Sequence, residues 1–332
     1  MRAVAEARTN IALVKYWGKR PGTLNLPAVG SLSLTLDGLS TRTEVRFDSS
    51  LSADTLDLNG TLETGLARDK VSKFLDIVRA EAKLSARAAV ISVNNFPTAA
   101  GLASSASAFS ALALAATHAA GLHLDGKSLS ILSRRGSGSA ARSLFGGFVR
   151  MNKGVQDDGL DSFAEPITTR SAEDMDVRMV LGITRKGQKE TLSTDGMRHT
   201  AETSPYFAAW VATSEPDLAD AQAAIARGDL EALGIVTERS ALTMHASALA
   251  SRPAVLYFAG ATIEGYKAIT MMRKAGIPAW FTCDAGPHVK ALTDSKHADE
   301  VARRLSEVPG VLETRVCKPG KAAEVLESSP NR

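Results

Sequence analysis

The sequence predicts an α+β fold of one large or two smaller, closely packed units, on three observations. Strand-like and helix-like segments follow one another without the regular alternation of a doubly wound sheet. The 332 residues exceed the roughly 250–300 at which a single core stops growing. No Pro/Gly-rich or low-complexity linker interrupts the chain, so the two units are expected to pack directly on each other. The charged stretch 168–176 precedes a new strand and sets the boundary, giving units 1–175 and 176–332.

In chain order, residues 42–48 alternate polar and apolar side chains as a half-buried strand does, and 55–59 does so briefly. Residues 67–80 place Val71, Phe74, Leu75 and Val78 at helical spacing. A strand is expected at 87–93, then an Ala- and Leu-rich helix from Ser104 to Ala120, stopped by Gly121. Residues 126–134 read as a helix ending at a Gly/Ser cluster, and 176–184 as a buried strand. The second half is more helical, with helices at 217–227, 229–250 and 260–275. A strand at 279–283 follows the turn Gly276-Ile277-Pro278; 290–306 is expected to be helical, and 311–317 a late strand.

Composition narrows the function. Charged residues make up 23% of the chain, and 39 Lys+Arg against 36 Asp+Glu leave only +3. A nucleic-acid binder would carry dense basic stripes, which this balance excludes, while it is compatible with local basic sites for small anions. No apolar run reaches the roughly 18–20 residues of a membrane helix. Glu6, Arg8, Asn10 and Lys15 interrupt the first twenty residues, which therefore read as folded protein rather than as a secretory leader. Two cysteines give no disulfide framework and point to a reducing cytoplasm. The six histidines show no paired zinc-ligand spacing, so no protein-held zinc is expected.

Two segments suit anions. Pro97-Thr98-Ala99-Ala100-Gly101-Leu102-Ala103-Ser104-Ser105-Ala106-Ser107 follows a strand and opens the Ala-rich helix. Its glycine permits close approach of an anion, and its hydroxyls lie beside the unpaired first amides of a helix. A serine N-cap after a small-residue turn is the competing reading. Arg134-Arg135-Gly136-Ser137-Gly138-Ser139-Ala140-Ala141-Arg142 mimics a dinucleotide fingerprint, but no strand precedes it. Its guanidiniums flanking small hydroxyls suit phosphate or carboxylate, or else a solvated helix end.

Residues 97–106 resemble the phosphate-binding signature of the GHMP small-molecule kinase superfamily. More specifically, the chain resembles the diphosphomevalonate decarboxylase family. The likeness rests on Asn10 to Arg20 (with Lys15-Tyr16-Trp17-Gly18-Lys19), Asn94–Phe109, Arg135–Gly147 and Thr282 to Pro287 (around Asp284). Shorter matches are Leu192-Ser193, Gly196-Met197 and Met244-His245-Ala246, all in family order across about residues 8–290.

The resemblance implies an α+β GHMP-kinase-like sandwich with the site between its lobes. The N-terminal lobe is of the ribosomal protein S5 domain 2-like type, and the C-terminal lobe, carrying the catalytic aspartate, is ferredoxin-like. It implies ATP-dependent decarboxylation of mevalonate 5-diphosphate to isopentenyl diphosphate by way of 3-hydroxyl phosphorylation, with ATP and Mg2+ and a cytoplasmic homodimer. The alternative within the family is an enzyme of mevalonate 5-phosphate, or a 3-kinase that stops after phosphorylation. Asp284 matches the aspartate that addresses the 3-hydroxyl, Arg142 the residue that binds the substrate carboxylate, and Lys19 a cation for the transferring phosphoryl group. Asn10, Lys15, Tyr16, Lys19, Ser137, Ser139, Arg142 and Ser193 match substrate contacts. Pro97, Ala100, Gly101, Leu102, Ala103, Ser104, Ser105 and Ser107 match the ATP phosphate loop. Two departures stand out: no Asn directly precedes Ser31-Leu32-Ser33, and His288 stands where Asn is frequent after Asp284-Ala-Gly-Pro287.

Overall fold

The computed structural model of the chain describes residues 1–96, 104–185 and 191–329. Strands β1 (Arg2–Val14), β2 (Ser31–Asp48), β3 (Thr55–Leu58) and β4 (Thr61–Glu63) precede helix α1 (Leu66–Ala82) and strand β5 (Arg87–Asn94). Helices α2 (Ser104–Ala119) and α3 (Gly126–Gly136) follow, then a 3-10 turn at Ala140–Arg142 and strands β6 (Phe148–Met151) and β7 (Ala164–Pro166). The second half runs β8 (Val177–Ile183), α4 (Ser193–Thr203), α5 (Phe207–Arg227), α6 (Leu230–Leu249) and α7 (Gly260–Lys274). It continues with β9 (Trp280–Thr282), β10 (Val289–Asp294), α8 (Ala298–Ser306), β11 (Glu313–Cys317) and β12 (Glu324–Ser329).

The first sheet has the order β12-β1-β2-β5-β3-β4, with β6 pairing β2 and β7 pairing β6; the second has the order β11-β8-β10-β9. Only β3 and β5 pair in parallel among the described ladders. β2 changes character along its length. Ser31–Leu36 is buried on both faces, whereas the part after Leu39 alternates, which is why only 42–48 showed a strand period in the sequence. Gly38, at φ 80, marks the change, beside a shift of the β1–β2 register between Arg8 and Asn10. The Ala-rich α2 lies against β1 and β2, where its small side chains let helix and sheet approach closely.

Phe74, Leu75, Val78, Val90 and Leu112 build one core under α1–α3. On the opposite face of the first sheet, Ile11, Leu13, Leu32 and Leu34 share a core with Leu218 and Ile225 of α5, Leu233 of α6, and Val177, Met179, Leu181 and Leu292 of the second sheet. The lobes are thus joined by continuous apolar packing, and the site lies on that junction.

Three expectations need correction. Residues 289–294 are not helical: β10 is a central strand buried on both faces, and helix begins only at Ala298. Pairing to β8 and β9 overrides a local spacing that also fits a helix. Helix α5 starts ten residues before the expected 217 and contains Pro216. Buried Trp210, whose indole N–H donates to Trp17 O at 3.0 Å, helps hold the turns ahead of that proline. Finally, residues 176–332 do not all stay with the second sheet. Gly320 N–H donates to Thr35 O at 2.8 Å, Asp37 N–H to Lys318 O at 2.9 Å, and β12 then pairs along β1.

Candidate functional site

β1 ends at Val14, and the next side chain, Lys15, turns into the junction of the lobes. Its backbone N–H donates to Ser240 Oγ of α6 at 3.0 Å, and its Nζ donates to Ala12 O at 2.8 Å and to Asp284 Oδ1 at 2.7 Å. Asp284 follows β9 in a tight turn closed by a 2.7 Å bond from Gly286 N–H to its carbonyl. The second carboxylate oxygen, Oδ2, lies 3.2 Å from Lys290 Nζ. Both lysine side chains are 1% exposed and the Asp284 side chain 22%, so the carboxylate is the member of the trio open to a ligand. Burial by itself would raise the Asp284 pKa; Lys15 and Lys290 outweigh it and hold the carboxyl well below its usual range. Burial pushes the Lys15 ammonium down from its ordinary value, against the attraction of Asp284.

The turn is propped from behind. His245 of α6 places Nε2 3.2 Å from Cys283 O, and Cys283 Sγ donates to Gly286 O at 3.0 Å. Burial, reinforced by Lys15, lowers His245 to about 3, and burial raises Cys283 to about 12. His288 is fully buried, and its Nδ1 accepts from Thr184 N–H at 3.1 Å. It therefore splices the Asp284 turn to the end of β8.

Arg142 occupies the other side. It sits on the 3-10 turn, 2% exposed, and donates to Ser31 Oγ at 2.7 Å and to Asn10 Oδ1 at 3.2 and 3.3 Å. Asn10 is the orienting residue: its Nδ2 donates to Ser139 O at 3.1 Å and Ser143 Oγ at 2.7 Å. Among the described residues Arg142 donates only to neutral oxygens and no carboxylate pairs with it. Burial brings its pKa down to about 10, opposed by Tyr16 and by the Asp284 carboxylate. A desolvated guanidinium with only neutral partners is a receptor for a carboxylate.

The remaining expected residues fall around these two. The Tyr16 ring lies 5.9 Å from the Arg142 guanidinium carbon, and its Oη makes no hydrogen bond among the described residues. A Cβ on Gly138 would stand 2.2 Å from that Oη, so only glycine fits against it. Ser137 and Ser139 face each other with Oγ atoms 3.3 Å apart. Lys19 Nζ donates to Asn25 Oδ1 at 2.8 Å, and Asn25 Nδ2 donates to Arg135 O at 2.8 Å, tying the N-terminal segment to the end of α3. Burial lowers Lys19 from its ordinary pKa, with nearby Lys70 adding to the effect.

Pro97, Ala100, Gly101, Leu102 and Ala103 lie outside the described residues. Ser104 and Ser105 occupy the first turn of α2, with Ser105 exposed. Ser107 differs: it is fully buried, with its hydroxyl 2.7 Å from Thr41 Oγ1 and 3.3 Å from Ser104 O, so the structure gives it to packing of α2 on β2 rather than to a ligand. Ser193 opens α4 on the second lobe. Sequence reasoning missed Lys290, Asn25 and Ser240. Lys290 had a usable signal, a lone lysine in an apolar run, but the helical expectation for 290–306 concealed it.

Residues 7–164 match the diphosphomevalonate decarboxylase-like N-terminal domain, and residues 179–327 match the mevalonate 5-diphosphate decarboxylase C-terminal domain. The chain is 37% identical over 325 residues to diphosphomevalonate decarboxylase of Ganoderma lucidum, covering 92% of this chain and 81% of that one. It is 34% identical to the Homo sapiens enzyme of that name, covering 89% and 78%. It superposes on mevalonate diphosphate decarboxylase from Staphylococcus aureus with a TM-score of 0.93, at 39% identity and 98% coverage of both chains. A structure of the protein called MDDEF in complex with MVAPP, AMPPCP and magnesium superposes with a TM-score of 0.92, at 41% identity and 99% coverage of both.

Proposed function

The chain belongs to the diphosphomevalonate decarboxylase family, and from that premise we propose how its residues divide the reaction. The enzyme decarboxylates mevalonate 5-diphosphate at the expense of ATP, giving isopentenyl diphosphate, ADP, phosphate and CO2. The 3-hydroxyl oxygen is phosphorylated first. The C3–O bond then breaks with its electron pair leaving on phosphate, and the carboxylate C–C pair becomes the new double bond as CO2 departs.

The buried Arg142, with neutral partners only, is the observation that carries the division of roles. It binds the substrate carboxylate, steered by Asn10 and Ser31. Asp284 accepts a hydrogen bond from the 3-hydroxyl and takes its proton as the O–P bond forms. A carboxylate held this acidic is a weak base, which suits phosphoryl transfer through a loose transition state, where orientation outweighs early deprotonation. Lys15 and Lys19 offset charge on the phosphoryl group and the diphosphate; Ser137, Ser139 and Tyr16 line the substrate, and Ser193 meets the phosphates from the second lobe. Ser104 and Ser105, with residues 97–103 before them in the chain, receive the ATP phosphates.

Among the described residues no three carboxylate, His or Cys side chains could hold a metal together. Mg2+ commonly keeps its waters and binds through substrate phosphates, so this chain fits an ion that arrives on ATP beside the Ser104 and Ser105 hydroxyls. Bound there, Mg2+ would neutralise charge on the phosphates. Two buried, unpaired cysteines support a cytoplasmic setting, and the family habit supports a homodimer. Among the described residues no helix is long and apolar enough to cross a membrane.

The test supplies ATP·Mg and mevalonate 5-diphosphate and follows ADP, phosphate and CO2 together. Equal yields are expected. ADP without CO2 would move the enzyme to a 3-kinase, a better rate on mevalonate 5-phosphate would change its substrate, and no ADP from any mevalonate ester would sink the reading.

A further inference from the structure

Lys290 lies within β10, and none of the steps above uses it. Strand alternation sends Val289 and Ala291 into the core with α7 and α8 and turns Lys290, with Leu292, toward the first lobe. Its Nζ ends 3.2 Å from Asp284 Oδ2, while Lys15 holds Oδ1 at 2.7 Å. A lysine at a position 1% exposed gives up its hydration and rotamer freedom, and an aliphatic side chain would pack there at lower cost. Stability alone does not account for a second buried ammonium on one carboxylate.

The two lysines are mounted differently. Lys15 stands just past the end of β1, in the segment that runs on to Tyr16 and Lys19. Lys290 is fixed in register with Leu181 on one side and Thr282 on the other. We propose that Lys290 is a positioning residue: it holds Asp284 by Oδ2 through the whole cycle, so that Lys15 can turn from Oδ1 to the phosphoryl group in transfer.

The step balances. The 3-hydroxyl proton moves to Oδ1, the O–P bond forms, and the bond from the γ-phosphorus to ADP breaks. Without Lys290, departure of Lys15 would leave a buried carboxylate facing phosphate charge, and it would pick up a proton and lose its function as an acceptor. The other titratable groups around the pair are Arg142 across the cleft, His245 of α6, and Cys283 and His288 of the Asp284 turn. Burial holds both imidazoles to about 3 and the thiol to about 12, so none of these three changes charge between pH 5 and 8. The inference rests on the reading of Asp284 as the group that meets the 3-hydroxyl.

Lys290→Met tests it, with length kept and charge removed. kcat is expected to fall ~10–100-fold and the acid limb of the kcat profile to rise by about one to three pH units. KM for ATP stays as in the parent enzyme. Lys290→Gln donates to Oδ2 without charge; it should recover part of kcat and keep the raised acid limb, and it serves if the Met variant does not fold. Parental kcat and pH profile in either variant overturn the proposal, as does a lowered kcat with an unmoved acid limb. Failure of both variants to fold assigns the lysine to stability and overturns it too. Asp284→Asn separates the two readings. If Asp284→Asn turns over normally, the site assignment fails; if it is inactive while the Lys290 variants match the parent, only the present inference fails.

Discussion

Asp284 and Arg142 show opposite solutions to burying a charge. Asp284 is over-supplied with cations: two ammoniums share its two oxygens, and its carboxyl stays ionised well below the usual range despite burial. Arg142 is under-supplied, satisfied by a serine and an asparagine. Three cations against one carboxylate make the cleft positive, and under the proposed roles the substrate's carboxylate and phosphates complete it. Asp284→Asn keeps the shape and removes the negative charge, leaving the two lysines unopposed. It should lower kcat by ~10²–10⁴ while ATP affinity, read by isothermal titration, stays at the parental value. Near-parental kcat would reassign the proton acceptor. None of this was derivable from residue types alone. Asp284 between Cys283 and Ala285-Gly286 looks like a turn aspartate, and Arg142 like a helix-end charge. The resemblance raised both above those readings, and the structure supplied what sequence order does not carry: Asn10 lies 132 residues from the guanidinium it orients.

The first turn of α2 and the α1 anchor are where whole elements, rather than single groups, answer to chemistry. Ser105 is exposed at the helix start, while Ser107, two residues on, points back into the sheet against Thr41. Ser105→Ala should lower kcat by ~10²–10³ if its hydroxyl acts on the transition state. Ser107→Ala should leave kcat intact and cost about 1 kcal/mol of stability, the worth of one buried hydrogen bond, measured by denaturant titration. Equal behaviour of the two variants would contradict this division. Helix α1 is tied down by Asp54, which takes 2.9 Å bonds from both terminal nitrogens of Arg79, one from Ser72 Oγ and one from Ala88 N–H. Burial alone would raise its pKa; the Arg79, Ser72 and Ala88 bonds prevail and lower it. A depressed folded-state pKa gives stability that is fully present above the unfolded value of about 3.9 and lost as pH falls through the folded value. Asp54→Asn should therefore cost ~3–5 kcal/mol at pH 7, with the gap to the parent narrowing below about pH 4. A gap that stays constant down to pH 2 would exclude the linkage. Elements with one solvent-facing side, such as α1 and the outer part of β2, were legible from periodicity. Thr9–Val14 of β1 and the inner half of β2 are buried on both faces and lose that period. β10 read as helix because burial on two faces leaves no alternation to see.

At the scale of the whole molecule, the decisive fact is that, beside the core each half builds for itself, two apolar clusters are shared between the halves. Ile11 and Leu34 of the first sheet share one apolar cluster with Val177 and Leu292 of the second, and Leu218, Ile225 and Leu233 complete it. A second junction packs Trp17 and Val29 against Met197, Trp210, Met244 and Tyr257. The C-terminal strand then recrosses to β1, so cutting the chain between the halves would strip an outer strand from the first sheet. Separating the lobes would expose both clusters to water, at ~1.5–3 kcal/mol for each large aliphatic or aromatic side chain uncovered. That exceeds what a lobe could recover alone within the ~5–15 kcal/mol stability usual for a folded domain. The two lobes should therefore unfold as one unit, although their length would allow two. Tryptophan fluorescence reports the junction through Trp17 and Trp210 and the second sheet through Trp280. Far-ultraviolet circular dichroism reports both lobes together. In guanidinium chloride the two signals should give one midpoint and one slope, and ATP with the substrate diphosphate should move both by the same amount. Two separated midpoints, or a ligand shift confined to one signal, would mean that the lobes are independent and that the shared clusters do not hold the site together.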